Sequence, residues 1–130
     1  MADDRLEKAL QFSNYRVTLF QQLEALKLRT ANSLMYSIHG GTFRINRELI
    51  SFVKILLDDQ QTGAFLTDIN DLPIFIDDLP NFFEEIYSRY FETMNDYGEE
   101  YVRIRKARKV ASLVDLEKEG TVSSGSNSGN

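Results

Sequence analysis

The hydrophobic positions in the second half of the chain repeat in the steps of a coiled coil. In order, they are Phe83, Tyr87, Tyr90, Met94, Tyr97, Tyr101 and Ile104, and we call this set the tyrosine seam. Its steps alternate between four and three residues and average about 3.5, the period of a left-handed supercoil. The pattern predicts a long helix over residues 80–114 that pairs with another helix. Because the seam keeps its phase across Gly98, we expect the helix to be continuous there.

A second long helix is predicted near the start of the chain, over residues 4–38. Hydrophobic residues, together with one threonine, recur there every three or four positions. They are Phe12, Tyr15, Leu19, Leu23, Leu26, Thr30, Leu34 and Ile38. No Gly or Pro interrupts the segment. Gly40 and Gly41 follow it, and glycine readily adopts the left-handed conformation that closes a helix.

Three shorter elements are predicted between the long helices. Residues 42–45 alternate polar and apolar side chains and predict a strand. Asn46 is a suitable N-cap for a short helix that continues to about Leu57. Residues 64–67 and 73–76 flank an Asp- and Asn-containing turn and predict a β-hairpin. The resulting prediction is a mostly helical α+β fold: two long helices packed antiparallel, with a short strand, a short helix and a β-hairpin inserted between them.

Length and composition limit the classes of protein that need consideration. The 130 residues, 15.0 kDa in mass, fit one domain over residues 1–116, followed by a Gly-, Ser- and Asn-rich tail over residues 117–130 that we expect to be flexible. The net charge of −5 disfavours a protein that coats nucleic acid over its whole surface. There is no cysteine, no signal-peptide pattern and no apolar run of membrane-spanning length. These features lead us to expect a cytoplasmic location without membrane contact.

The sequence contains few residues that could carry catalysis or bind a metal. The single histidine, His39, lies beside the glycines that end the first predicted helix, and a role at the negative end of that helix explains it best. The acidic stretch from Asp68 fails the calcium-loop pattern, because Pro73 replaces the required glycine and Leu79 the final glutamate. No P-loop or dinucleotide motif follows Gly40. We therefore expect neither enzyme activity, nor a cofactor, a metal or a small-molecule substrate.

A basic run lies near the end of the last predicted helix. It consists of Arg103, Arg105, Lys106, Arg108 and Lys109. One interpretation is a solvated helix end, where cations complement the helix dipole. The other is a contact with an anionic partner, either an acidic protein surface or nucleic acid. No aromatic side chain interleaves with the run to stack on bases, so a protein surface is the better candidate.

Several segments resemble small proteins of T-even-like tailed bacteriophages, especially those that infect marine cyanobacteria. The segments are NYRVTL (residues 14–19), GGTFR (40–44), LISF (49–52), DDL (77–79), YFE (90–92), NDY (95–97) and the stretch from KARKV (106–110) to Leu116. The resemblance implies a non-enzymatic protein encoded among head-assembly genes, such as a prohead-core or minor virion component. It would place the protein in the host cytoplasm and in the virion. It carries no site residues over to this chain.

Two functional hypotheses follow from these patterns. The leading one is a protein–protein assembly component that acts by helix pairing through the tyrosine seam. The sequence leaves open whether the seam closes within one chain or between subunits. The alternative is a nucleic-acid-binding or transcription-associated accessory protein that uses the basic run. A small enzyme or a metal-binding regulator is a third, weaker hypothesis.

Overall fold

The computed structural model describes residues 2–107 and 110–113 and is a mostly helical α+β fold, as predicted. Its elements are α1 (Ala2–Ser33), β1 (Met35–Ile38), β2 (Gly41–Arg44), α2 (Arg47–Asp58), β3 (Ala64–Thr67), β4 (Pro73–Ile76) and α3 (Leu79–Lys106). The long helices α1 and α3 pack against each other. Strands β1 and β2 form one antiparallel hairpin, and β3 and β4 form another.

The chain divides into two compact units, and each long helix contributes to both. Unit 1 joins residues 1–28 to residues 97–130, and unit 2 comprises residues 29–96. Unit 2 contains α2 and both hairpins. The division of the chain into one domain over residues 1–116 and a tail stays a prediction, and the tail lies outside the described residues.

The predicted extension of the first helix to residue 38 is wrong. Helix α1 ends at Ser33, and residues 35–38 form β1, which pairs with β2. The turn between the strands contains His39 and Gly40, with φ angles of 53° and 82°. Two consecutive residues with positive φ are typical of the two-residue turn that matches the twist of a hairpin. His39 and Gly40 therefore belong to a hairpin turn and not to a helix end.

The other helix boundaries follow local capping chemistry. The Asn46 side chain accepts a hydrogen bond from the Leu49 N–H at 2.8 Å and caps α2, as predicted. Asp78 caps α3 in the same way, through the Asn81 N–H at 3.1 Å. Helix α3 is continuous through Gly98, as predicted, but it ends at Lys106 instead of continuing to residue 114. Residues 110–113 are again helical.

The core of unit 2 is aromatic at its centre. Phe82 of α3 stacks on Tyr36 of β1 at 5.9 Å and meets Phe43 of β2 edge-on at 5.4 Å. The other fully buried side chains of this core include Ile45, Val53, Ile76, Leu79 and Ile86. Both hairpins and α2 thus cover one face of α3.

A buried carboxylate joins the two hairpins of unit 2. Asp68 follows β3 and is only 6% exposed. Its Oδ1 accepts hydrogen bonds from the N–H groups of Asn70 and Leu72, both at 2.9 Å, and its Oδ2 accepts one from Thr42 in β2 at 3.1 Å. These N–H groups, that of Leu72 most of all, hold the pKa of Asp68 below its usual value, although burial acts in the opposite direction. Asp68 is therefore a structural anion.

Replacing Asp68 by Asn is expected to destabilise the protein at neutral pH, because an amide offers one acceptor oxygen where the carboxylate offers two. Since the folded pKa lies below the unfolded one, the carboxylate stabilises the fold above about pH 4, and this stabilisation is lost as the pH falls through the folded pKa. The variant should therefore show a lower urea midpoint at pH 7 and a smaller further loss on acidification. Asp71→Asn, at an exposed position in the same loop, is the control. Equal pH dependence in wild type and Asp68→Asn would contradict this role.

A glycine allows the hairpins to approach each other. A Cβ atom added to Gly41 would lie 2.5 Å from Ile74 Cγ1, whereas one added to Gly98 in α3 would meet nothing within 4 Å. We expect Gly41→Ala to lower the free energy of unfolding by roughly 1–3 kcal/mol through overpacking. Gly98→Ala should raise it by roughly 0.5–1 kcal/mol, because it removes a helical glycine without a clash.

Denaturant unfolding of both variants measures these effects. Repeating Gly41→Ala in an Ile74→Ala background tests the proposed cause, since the penalty should shrink once the clashing side chain is gone. An unchanged penalty would place the strain elsewhere in the hairpin.

Candidate interaction surfaces

Helix α3 has two different apolar faces within unit 2. Leu79, Phe82 and Ile86 are buried against the hairpins and α2. A second row begins at the edge of this buried face and continues around the helix to exposed positions. It consists of Phe83, Tyr87, Phe91 and Met94, and we call it the α3 aromatic face.

The rings of the α3 aromatic face stack on one another along the helix. Phe83 and Tyr87 lie 5.8 Å apart with an interplanar angle of 23°, and Tyr87 and Phe91 lie 6.3 Å apart at 12°. Tyr87 is 52% exposed and Phe91 is 56% exposed. The spacing of four residues brings each ring over the next turn of the helix. The three rings therefore form a continuous stacked row, most of which solvent reaches.

Acidic side chains border the α3 aromatic face. Glu84 and Glu92 are exposed, and their positions on the helix lie on the side of the row that faces away from the core. The carboxylate of Glu85 instead pairs with Arg89 at 2.7 Å, and the Arg89 guanidinium lies 4.6 Å from the centre of the Tyr36 ring. The free border of the row is therefore negative.

The residues of the tyrosine seam have different surroundings. In unit 2, Phe83 and Tyr90 are half-buried against the core, whereas Tyr87 and Met94 are exposed. In unit 1, Ile104 is buried and Tyr97 packs beside it. Tyr101 contacts Tyr97 at 6.1 Å but is exposed. The strict repeat therefore contains both core residues and solvent-facing residues, and its role in binding a partner stays a prediction.

The tyrosine seam as predicted does not include Phe91, but Phe91 extends the aromatic row to a third ring. The available signal was the spacing of Phe83, Tyr87 and Phe91, which are four residues apart. A search for alternating steps of three and four does not detect such a row, because the row follows a single ridge of the helix with steps of four only.

The basic run is only partly described by the structure. Arg103 pairs with Glu100 at 3.0 Å. Arg105 and Lys106 are exposed in the last turn of α3, where cations complement the helix dipole. Arg108 and Lys109 lie outside the described residues. Its assignment as a contact for an anionic partner stays a prediction.

Unit 1 has its own small core and an open groove. Leu26 of α1 packs with Ile104, Ala107 and Leu113, and the Tyr15 hydroxyl donates a 2.7 Å hydrogen bond to the Ala107 carbonyl. The groove, of about 1020 Å³, is lined by Lys8, Gln11, Phe12, Asn14, Tyr15, Val17, Thr18, Val110 and Ala111. This lining mixes apolar and uncharged polar groups and contains one cation, Lys8, among the described residues.

Three of the four acidic side chains between β3 and α3 make contacts within unit 2, and the fourth, Asp71, is exposed. Asp68 joins the hairpins, Asp78 caps α3, and Asp77 Oδ1 lies 3.5 Å from His39 Nε2. Among residues 2–107 and 110–113, no three His, Cys, Asp or Glu side chains are grouped so that they could hold a metal ion.

Comparison with known family models, curated proteins and solved structures finds no match to this chain. Within the described part of the chain, no helix has the length and hydrophobicity needed to cross a membrane.

Proposed function

We propose that the protein is a non-enzymatic assembly component that binds another protein through the α3 aromatic face. The observation that carries the proposal is a row of stacked aromatic rings that runs from half-buried Phe83 to the exposed Tyr87 and Phe91, beside the buried face of α3. Aromatic residues are enriched at protein interfaces, where a few of them supply most of the binding energy. Nothing in the core of unit 2 requires Tyr87 or Phe91 to be aromatic.

The stacking contacts between the rings favour a role in binding over a purely structural role. A side chain that is already held in one orientation loses little further freedom when a partner covers it. Tyr and Phe also have few rotatable bonds for the area that they offer. The row of Phe83, Tyr87 and Phe91 is therefore prepared to receive a complementary apolar surface.

The shape and the charge of this face define the partner. A straight row along one helix fits the apolar stripe of a second helix. Because Glu84 and Glu92 border the row, the complementary helix should carry Lys or Arg beside its apolar stripe. We infer that the partner is a protein with a basic amphipathic helix.

The specific form of this proposal is assembly of a tailed-bacteriophage head or virion. It rests on the resemblance of residues 14–116 to small proteins of T-even-like phages. A prohead-core or minor virion protein acts through contacts with other subunits, which agrees with the proposed use of the α3 aromatic face.

Charged substitutions on the α3 aromatic face should weaken partner binding without unfolding the protein. The probe is a fluorescent peptide helix with a Leu stripe and Lys flanks, followed by anisotropy; a second peptide has Glu in place of Lys. We expect wild type to prefer the Lys-flanked peptide. Tyr87→Glu and Phe91→Glu should each weaken its binding at least about tenfold, a loss of about 1.4 kcal/mol or more.

Ser88→Glu adds the same charge at an exposed position of the same helix outside the row, and it should bind the Lys-flanked peptide at least as tightly as wild type. The proposal fails if Ser88→Glu weakens binding as much as Phe91→Glu, or if wild type does not distinguish the two peptides. Circular dichroism of each variant confirms that the helices are retained.

One observation favours the alternative of nucleic-acid binding: Arg105 and Lys106 have no acidic partner among the described residues, unlike Arg103. This alternative predicts an affinity for a DNA oligonucleotide that falls steeply with salt, with a slope set by the few phosphates contacted. Arg105→Glu combined with Lys106→Glu should abolish that affinity, whereas Tyr87→Glu should leave it unchanged. Absence of a mobility shift with duplex or single-stranded DNA at low salt would eliminate the alternative.

A further inference from the structure

Helix α1 has a second apolar stripe on the side opposite its packed face. The packed face of α1 in unit 1 contains Tyr15, Leu19, Leu23 and Leu26. The second stripe contains Leu6, Leu10, Val17 and Phe20, which are 62%, 56%, 53% and 64% exposed; Val17 also lines the rim of the groove of unit 1. At about 3.6 residues per turn, the two sets lie on opposite sides of the helix. Four large exposed side chains in one line exceed what a solvated helix face requires.

The second stripe is part of a longer heptad pattern. Its positions are Asp3, Leu6, Leu10, Ser13, Val17, Phe20, Glu24 and Lys27, and we call this set the α1 outer stripe. The steps alternate between three and four residues throughout, which is the spacing of a coiled-coil seam. Apolar residues and one serine occupy the middle, and charged residues occupy the ends. The pattern specifies a helix as the occupant.

The charges of the α1 outer stripe select an antiparallel copy of the same helix. In an antiparallel pair centred between Ser13 and Val17, Asp3 of one chain faces Lys27 of the other. In a parallel pair in register, Asp3 would face Asp3, Glu24 would face Glu24 and Lys27 would face Lys27. Facing like charges are destabilising, whereas Asp3 opposite Lys27 is attractive.

The other pairs of facing residues in the antiparallel arrangement have side chains of sizes that can pack together. Leu10 of one chain faces Phe20 of the other, and Ser13 faces Val17, so a large residue meets a large one and a small residue meets a medium-sized one. Glu24 faces Leu6, but its carboxylate already pairs with Lys27 of its own chain at 3.4 Å. Asp3 of the second copy would extend this pair into a three-residue cluster at each end.

We propose that the α1 outer stripe binds a second copy of this chain and forms an antiparallel two-helix coiled coil. The proposal uses a different helix from the α3 aromatic face and does not depend on the partner proposed there. It makes the protein a symmetric dimer that presents two copies of its other surfaces.

Cysteine cross-linking tests the orientation directly, because the natural chain contains no cysteine. The variants Leu10→Cys and Phe20→Cys are purified separately, mixed, allowed to exchange subunits and oxidised mildly. The antiparallel pair predicts a disulfide-linked dimer, twice the 15.0 kDa chain mass, in the mixture and little of it in either variant alone. Efficient cross-linking of Leu10→Cys with itself would overturn the antiparallel arrangement. Absence of cross-linking in all three samples would overturn the dimer.

Two exposed phenylalanines of α1 provide a matched pair of substitutions. Phe20 lies in the α1 outer stripe and is 64% exposed; Phe12 lies outside it, beside the groove of unit 1, and is 63% exposed. Light scattering over a dilution series should show a dimer for wild type and for Phe12→Glu, and a 15.0 kDa monomer for Phe20→Glu. A wild-type monomer at all concentrations, or equal effects of both substitutions, would refute the proposal.

Exchange of the end charges is a further test that leaves the apolar middle intact. Asp3→Lys and Lys27→Asp should each weaken the dimer several-fold at low salt, and the double variant should restore it, because the attractive pair is re-formed in reverse. Failure of the double variant to recover affinity would contradict the facing of Asp3 and Lys27.

Discussion

The carboxylate of Asp68 is the interaction on which the arrangement of unit 2 depends. Hydrophobic contacts favour burial but do not fix direction, so two short hairpins could cover an apolar helix in many orientations. Asp68 removes this freedom because a buried charge is tolerated only where donors surround it. Its donors come from its own turn and from Thr42 of the other hairpin. The missing side chain at Gly41 provides the space in which the two strands can meet.

This junction determines which face of α3 remains available. With the hairpins fixed together, Phe82 is enclosed by Tyr36 and Phe43, and the row that starts at Phe83 lies at the margin of the covered area. Tyr87 and Phe91 lie beyond the reach of the hairpins. The exposed aromatic row is thus a consequence of how far a small α/β insert extends around a long helix, and the insert packs on the same helix that carries the row.

The parts of the fold that could be predicted from sequence are those set by local chemistry. Asn46 caps α2 and the hairpin of residues 64–76 has its predicted bounds, because capping and turn residues act within a few positions. Residues 35–38 were mistaken for helix because Leu34 and Ile38 continue the helical spacing. These residues form a strand instead, because they pair with β2 across a turn in which His39 and Gly40 have positive φ values. That pairing depends on a partner strand that periodicity does not detect.

The candidate surfaces show a related restriction of sequence patterns. A heptad repeat identifies residues that share a stripe, but only the neighbouring elements decide whether that stripe is buried. The tyrosine seam contains Ile104, which lies in a core, and Tyr87, which faces solvent. Helix α1 shows the converse case, because its inward stripe accounts for its packing in unit 1, while Leu10 and Phe20 remain exposed among the described residues. A helix that carries apolar stripes on opposite sides gains stability when a second partner covers the outer stripe. A second copy of the helix would cover the second stripe of α1, which the described residues leave exposed.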